Sequence, residues 1–124
     1  NVTTVLEYVP MSEVQKYFIA SDLLALPYKK FDAQSGVGNI GLAFGLPLVV
    51  SRVGGLPDLV KDERAIVEPN NAKSLAEAIT TIFLDENLYE KLREDTSALK
   101  RQYSWREAIE STFSIYEQIL NDGH

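Results

Sequence analysis

Residues 36–41 read Gly-Val-Gly-Asn-Ile-Gly, the spacing of a dinucleotide-binding fingerprint. Glycines in that pattern serve phosphate. Without a Cβ the backbone can approach an anion closely, and the first N–H groups of a following helix have no intrahelical partner. Those donors and the helix dipole both favour negative charge. Ser35-Gly36-Val37-Gly38, with Gln34 in front, would present several N–H groups at a helix start. A second pair, Gly54-Gly55, follows the apolar run Leu48–Val50. Lys29, Lys30 and Arg52 stand in the same two stretches and would supply local positive charge. Two plainer readings stand beside this one: the glycines let a short helix lie close on a sheet, and the lysines are ordinary solvated charges.

A dinucleotide fold asks for more than the spacing. Its glycines follow a strand at once, open a long helix, and precede an acidic ribose ligand by about 20 residues. Here Tyr28–Ser35 intervene after Pro27, Gly45-Leu46-Pro47 stops the helix early, and Ser51-Arg52 stand where the acid belongs. Arg52 would suit a 2′-phosphate, which keeps an NADP-binding module as a minor alternative.

Composition removes several chemistries. There is no Cys and a single His, at position 124. Disulfides, thiolate metal sites, a Cys nucleophile, a His-based triad and a multi-His metal site are therefore excluded. Asp32 alone is insufficient for a metal, and neither a metal nor a cofactor is expected. Twelve Lys and Arg against 18 Asp and Glu give a net charge of −6. That disfavours nucleic acid and anionic membrane surfaces, which need a basic face. It does not disfavour one nucleotide diphosphate held by backbone N–H groups.

The elements that must position these loops are legible as an alternation. Thr4–Val9, Leu23–Pro27, Leu48–Ser51 and Ala65–Val67 read as strands. A helix between the first two is expected to be capped by Ser12, with Gln15 in capping-box position. After Pro69, Leu75, Ala78, Ile79 and Ile82 (or Phe83) recur at helical steps, with Ser74 or Asn71 as the cap. Asp85-Glu86-Asn87 breaks that helix. A second runs from about Leu88 to Gln102, and a third, capped at Ser104, to about Leu120. The implied fold class is α/β: a Rossmann-like parallel sheet of about four strands flanked by helices on both sides. Ligands of such sheets bind beyond the carboxyl ends of the strands, which points to residues 27–38 and 51–57. At 124 residues, with 45% hydrophobic and 24% charged, the chain is one globular domain, 1–124, or a piece of one. It opens without Met in a strand-like run and reads as truncated. No apolar run approaches the roughly 20 residues of a membrane span, and no signal pattern opens the chain, so a cytoplasmic location is expected.

The ordered segments SDLLALPY, QSGVG, AFGLPLVVSRVGGLPDLV, AIVEPNNAKSLAEAI and YSWREAIESTFSIY resemble the retaining glycosyltransferases of family 4. The similarity is to their carboxyl-terminal, nucleotide-sugar-binding domain in the two-domain GT-B architecture. Gly45, Pro47, Val49, Ser51, Val53, Gly54, Gly55, Pro57 and Asp58 match its signature. The resemblance implies transfer of a hexose from a nucleoside-diphosphate sugar, such as a UDP or GDP sugar, with retention of anomeric configuration. It places the donor's diphosphate and sugar at Gln34, Ser35, Gly36, Val37 and Gly38, with Asp32 beside them and Gly54-Gly55 closing the neighbouring loop. The acceptor, a glycan or lipid, would be held by an amino-terminal domain that this chain does not include. The parent would then be the enzyme, cytoplasmic or membrane-associated, and this piece would have no turnover alone. Many members carry two Glu separated by seven residues; the corresponding places here are Asp32 (or Gln34) and Ile40, so the second carboxylate is missing. That leaves a non-catalytic nucleotide-binding module of the same fold as an alternative.

Smaller expectations concern single residues. Trp105 is expected to pack on its own domain, its exposure being the sign of a lost interface, and Asp22 to fix the turn before its strand. Glu13, Glu77 and Glu107 read as cap or solvent-face carboxylates. The exposed edge of the first strand is expected to pair with a second copy.

Overall fold

The computed structural model describes residues 1–30, 36–102 and 105–123. Helix α1 (Met11–Ile19) leads to strand β1 (Leu24–Leu26), helix α2 (Gly36–Ala43) and strand β2 (Leu48–Ser51). Two single 3-10 turns, Leu56–Leu59 and Glu63–Ala65, connect to the short strand β3 (Ile66–Val67). Helices α3 (Ala72–Leu84), α4 (Glu86–Gln102) and α5 (Trp105–Asp122) follow. The strands pair in the order β1-β2-β3, all parallel, with Leu24 opposite Leu48 and Val50 opposite Ile66.

β2 is central because its sequence has no polar face to offer water. All four of its residues are buried, Val49 and Val50 completely. Alternation then sorts them. Leu48 and Val50 join Leu26, Leu42, Leu56, Leu59 and Leu99 on the α2 side. Val49 joins Ala65, Val67, Ile82, Leu88 and Leu92 on the α3 side. Helix α4 contributes to both clusters, and the buried Thr96 hydroxyl lies 2.9 Å from the Leu92 carbonyl and 3.1 Å from that of Leu46. The chain is thus α/β with a parallel sheet between helical layers, as its alternation implies.

Three local expectations are corrected and one open choice, the cap of α3, is decided. Thr4–Val9 is not a strand: Leu6 and Tyr8 are 92% and 87% exposed and the three-stranded sheet does not include them. A strand exists only through its ladder, and nothing among the described residues pairs with this one. Ser12 does not cap α1. The N-cap is Pro10, whose carbonyl accepts from the N–H groups of Glu13 and Val14. At α3 Asn71 takes the cap from Ser74, its Oδ1 accepting the Ser74 N–H at 2.9 Å. Helix α4 begins two residues earlier than expected, at Glu86, because Asp85 accepts the Leu88 N–H. The Ser104 cap, Tyr103, His124 and the packing of the Trp105 and Glu107 side chains lie outside the described residues.

α2 is stopped by its own chemistry. Gly45 has φ 72°. Its N–H donates to Leu42 and that of Leu46 to Gly41, both at 3.0 Å. This pair of bonds is the Schellman arrangement, which favours glycine at the left-handed position, and Pro47 follows it directly. The short helix is what brings the chain back into β2 so soon.

One polar cluster fastens the β2–β3 connection to α4. Asp62 is 9% exposed and accepts from the Arg64 backbone N–H, from Nε (3.0 Å) and Nη2 (2.8 Å) of Arg64, and from Lys91 Nζ at 3.2 Å. The Arg64 hydrogen bonds, against the opposing effect of burial, hold the Asp62 carboxyl well below the usual carboxylate range. A group depressed in this way stabilises the fold above its unfolded value and loses that contribution as pH falls toward its folded one. Acidification below about pH 4 is therefore expected to weaken the protein, and Asp62→Asn to flatten that part of the profile. At neutral pH the variant should be about 2 kcal/mol less stable. Urea unfolding of both proteins at pH 7 and pH 3 checks this; parallel pH profiles would overturn it.

Candidate functional site

The carboxyl ends of all three parallel strands open on one edge of the sheet, and the glycine loops lie there. Gly36 and Val37 are exposed in the first turn of α2, and Gly38 is buried. Among the described residues, its chain neighbours and its own helix backbone aside, nothing lies within 4 Å of the place a Gly36 Cβ would take. Gly54 has φ 51°, and Gly55 precedes the Leu56–Leu59 turn, which packs against α2 through Leu56, Leu59 and Leu42. The α2 start, which follows β1, and the Gly54-Gly55 turn, which follows β2, both come after the carboxyl ends of parallel strands. Asp32, Gln34 and Ser35 lie outside the described residues.

The third glycine of the motif has a different role from the first. A Cβ on Gly41 would stand 2.5 Å from Leu24 Cδ2 and 3.2 Å from Leu48 Cδ2. Gly41 is there so that α2 can rest directly on β1 and β2. The two readings of the glycine run are thus divided between its members: open space at Gly36, packing at Gly41.

Arg52 is not an available cation. It forms ion pairs with Glu63 and with Glu68, the latter at 3.2 Å from Nε. These bonds, Glu63 first, raise the guanidinium's pKa further. With two carboxylates already upon it, Arg52 is a poor ligand for a 2′-phosphate, which removes the residue that favoured an NADP module. Lys29 and Lys30 are exposed, and Lys29 forms no ion pair among the described residues. Asp22 is exposed, and its carbonyl accepts a 2.8 Å hydrogen bond from Tyr89, tying the entry of β1 to α4. Glu13 and Glu77 make exposed ion pairs with Lys16 and Lys73.

The strand ends also enclose a cavity of about 300 Å³ that the sequence did not announce. Pro27 and Lys29 line it from the end of β1, Ser51 from β2, and Val67 and Glu68 from β3. Asn70, Asn71, Ala72 and Leu75 complete it at the start of α3. Asn70 takes φ 58°, a conformation Asn tolerates, which turns the chain from β3 into α3. The rule that ligands gather beyond strand ends, applied to the third strand as well as the first two, would have found Pro69-Asn70-Asn71. Among the described residues no cluster of three or more His, Cys, Asp or Glu could hold a metal, and no helix is long and apolar enough to cross a membrane.

A parallel sheet with glycine-led loops at its carboxyl edge defines a Rossmann-like α/β domain. Residues 1–98 match the family model described as glycosyl transferases group 1, and the chain belongs to that family. It is 27% identical over 112 residues to an uncharacterized glycosyltransferase of Methanocaldococcus jannaschii, covering 86% of this chain and 31% of that protein. It is 27% identical over 120 residues to a D-inositol 3-phosphate glycosyltransferase of Corynebacterium jeikeium, covering 93% of this chain and 28% of the relative. Sucrose-phosphate synthase 1 of Arabidopsis thaliana is 32% identical over 74 residues, 58% of this chain and 7% of that protein. The chain thus spans less than a third of the length of these curated relatives.

Proposed function

We propose that this chain is the donor-binding part of a glycosyltransferase, the carboxyl-terminal domain of a GT-B enzyme of retaining family 4. The parent transfers a hexose from a nucleoside-diphosphate sugar, with retention, to a glycan or lipid acceptor held by another domain. The diphosphate lies against Gln34–Gly38, where backbone N–H groups and the α2 dipole take up the negative charge that develops on the leaving group. The observation that carries this reading is the open space over Gly36 at the carboxyl edge of the sheet, in a chain of the glycosyl transferases group 1 family. Glycosyltransferase names among the relatives support it. The chain alone positions one reactant of two and has no turnover, because joint positioning accounts for much of the rate. Its setting is cytoplasmic, at a membrane where the acceptor is a lipid. The edge expected to pair with a second copy was that of Thr4–Val9, which forms no strand; in the sheet of described residues β1 and β3 are the outer strands, and self-association would use one of those edges.

A non-catalytic nucleotide-binding module is the second reading, favoured by Ile40, a half-buried aliphatic residue on α2 at the place of the second carboxylate. Amide NMR titrations with UDP, GDP, UDP-glucose, GDP-mannose and NADPH test the common part. Shifts centred on Gln34–Gly38 with a nucleoside diphosphate are expected. A response to NADPH alone overturns both readings. Sugar transfer by the parent then separates enzyme from module.

A further inference from the structure

We propose that the cavity at the strand ends is a second binding site, for a neutral monosaccharide, separate from the diphosphate site at α2. It goes beyond the donor reading and requires no nucleotide.

Ser51 carries the argument. It is 2% exposed at the end of β2 and, two residues from Val49, faces the α3 side of the sheet, away from α2. Among the described residues its hydroxyl has no hydrogen-bond partner. Among the described residues no side-chain nitrogen or oxygen sealed from solvent lacks a partner, so this hydroxyl keeps a sliver of surface, and Ser51 lines the cavity. So deep a hydroxyl without a protein partner is uncommon and points to a ligand.

Size and lining define the class. A cavity of about 300 Å³ is at the small end for ligand sites and holds one ring, not a nucleoside diphosphate. Pro27, Val67 and Leu75 offer an apolar wall to the C–H face of a pyranose. The Lys29 ammonium donates, the Glu68 carboxylate accepts, and Ser51 does both. That mixture suits sugar hydroxyls, which are themselves donors and acceptors. Glu68, steadied by Arg52, repels an anion, and among the described residues no aromatic side chain lines the cavity to stack on a nucleobase.

The test is a titration of the isotopically labelled chain with the methyl glycosides of glucose, mannose and galactose, in parallel with inorganic phosphate, uridine and UDP. At least one glycoside is expected to give saturable amide shifts at Ser51 and across 67–72. Loss of one hydrogen bond in Ser51→Ala should weaken that binding by about 3- to 10-fold. Ala72→Phe, placed on the exposed rim, should abolish it. If the bulky variant does not fold, Ser51→Ala decides. No saturable shift with any glycoside, a response to phosphate or uridine in its place, or unchanged affinity in Ser51→Ala overturns the proposal. Shifts with UDP at 36–38 but none with glycosides sink this site and leave the donor reading; glycoside shifts without a UDP response do the reverse.

Discussion

Gly41→Val is expected to destabilise the protein by about 3 kcal/mol, while Gly36→Val leaves the fold intact and removes nucleotide binding. The two glycines lie five positions apart in one motif, and their surroundings are opposite. At Gly41 even a Cβ meets the side chains of Leu24 and Leu48. The tip of Leu24 can swing away from a methyl group. It cannot clear a branched side chain without lifting α2 from β1 and β2, because Leu48 is buried behind it. The small gain in helix propensity on replacing glycine does not offset that strain. At Gly36 no atom of the described residues beyond its chain neighbours and its own helix backbone lies within 4 Å, so a side chain meets none of them. That space is where the proposed diphosphate approaches the backbone, and a valine there should reduce affinity for UDP or GDP at least tenfold, about 1.4 kcal/mol. Thermal melts and nucleotide titrations of both variants check the pair. Equal stability of the two, or undiminished nucleotide binding by a folded Gly36→Val, would contradict it.

The second large effect is expected at Leu56. This residue is fully buried and opens the 3-10 turn that follows Gly54-Gly55. It packs among Leu26, Leu42, Val50 and Leu99, and so pins the loop to β1, α2, β2 and α4 together. Leu56→Ala removes buried methyl groups and leaves a cavity that four separate elements cannot all move in to fill. A loss of about 3 kcal/mol follows from such truncations. Because the anchor lies immediately beside the glycine pair, the loop should also loosen, so nucleotide affinity falls further than a pure stability change would bring. Leu59→Ala is the control: it shares the cluster but sits at the far end of the turn. Urea unfolding and titration of both variants decide; if Leu56→Ala costs under about 1 kcal/mol, the anchor role is wrong.

How much of this was legible in the sequence depends on how local each cause is. β2 was readable to the residue, because four consecutive buried positions stand between Gly45-Leu46-Pro47 and Gly54-Gly55. The stripe Leu75, Ala78, Ile79 and Ile82 fixed α3 and its buried face in the same way. Thr4–Val9 had strand composition but no neighbour, and pairing is a property of the sheet, not of the segment. The choice between Asn71 and Ser74 turned on one backbone angle pair that neither residue type determines. Arg52 was misleading for a non-local reason: its partners lie 11 and 16 residues away, Glu63 before β3 and Glu68 after it. The cavity was invisible because it needs the ends of three strands at once and an Asn in a left-handed conformation. The glycine spacing was visible in the sequence, but its division into one open and one packed position required coordinates.

Helix α4 has a thermodynamic consequence. Leu88 and Leu92 sit in one core and Leu99 in the other, with Thr96 clamped to the chain that enters β2. A single rigid element laced through both layers leaves neither able to melt while the other persists. The domain should therefore behave as one cooperative unit, and a ligand gripped on either face stabilises the whole by mass action. Occupancy of the α2 side is then registered on the α3 side as reduced opening, without any displacement of the sheet between them.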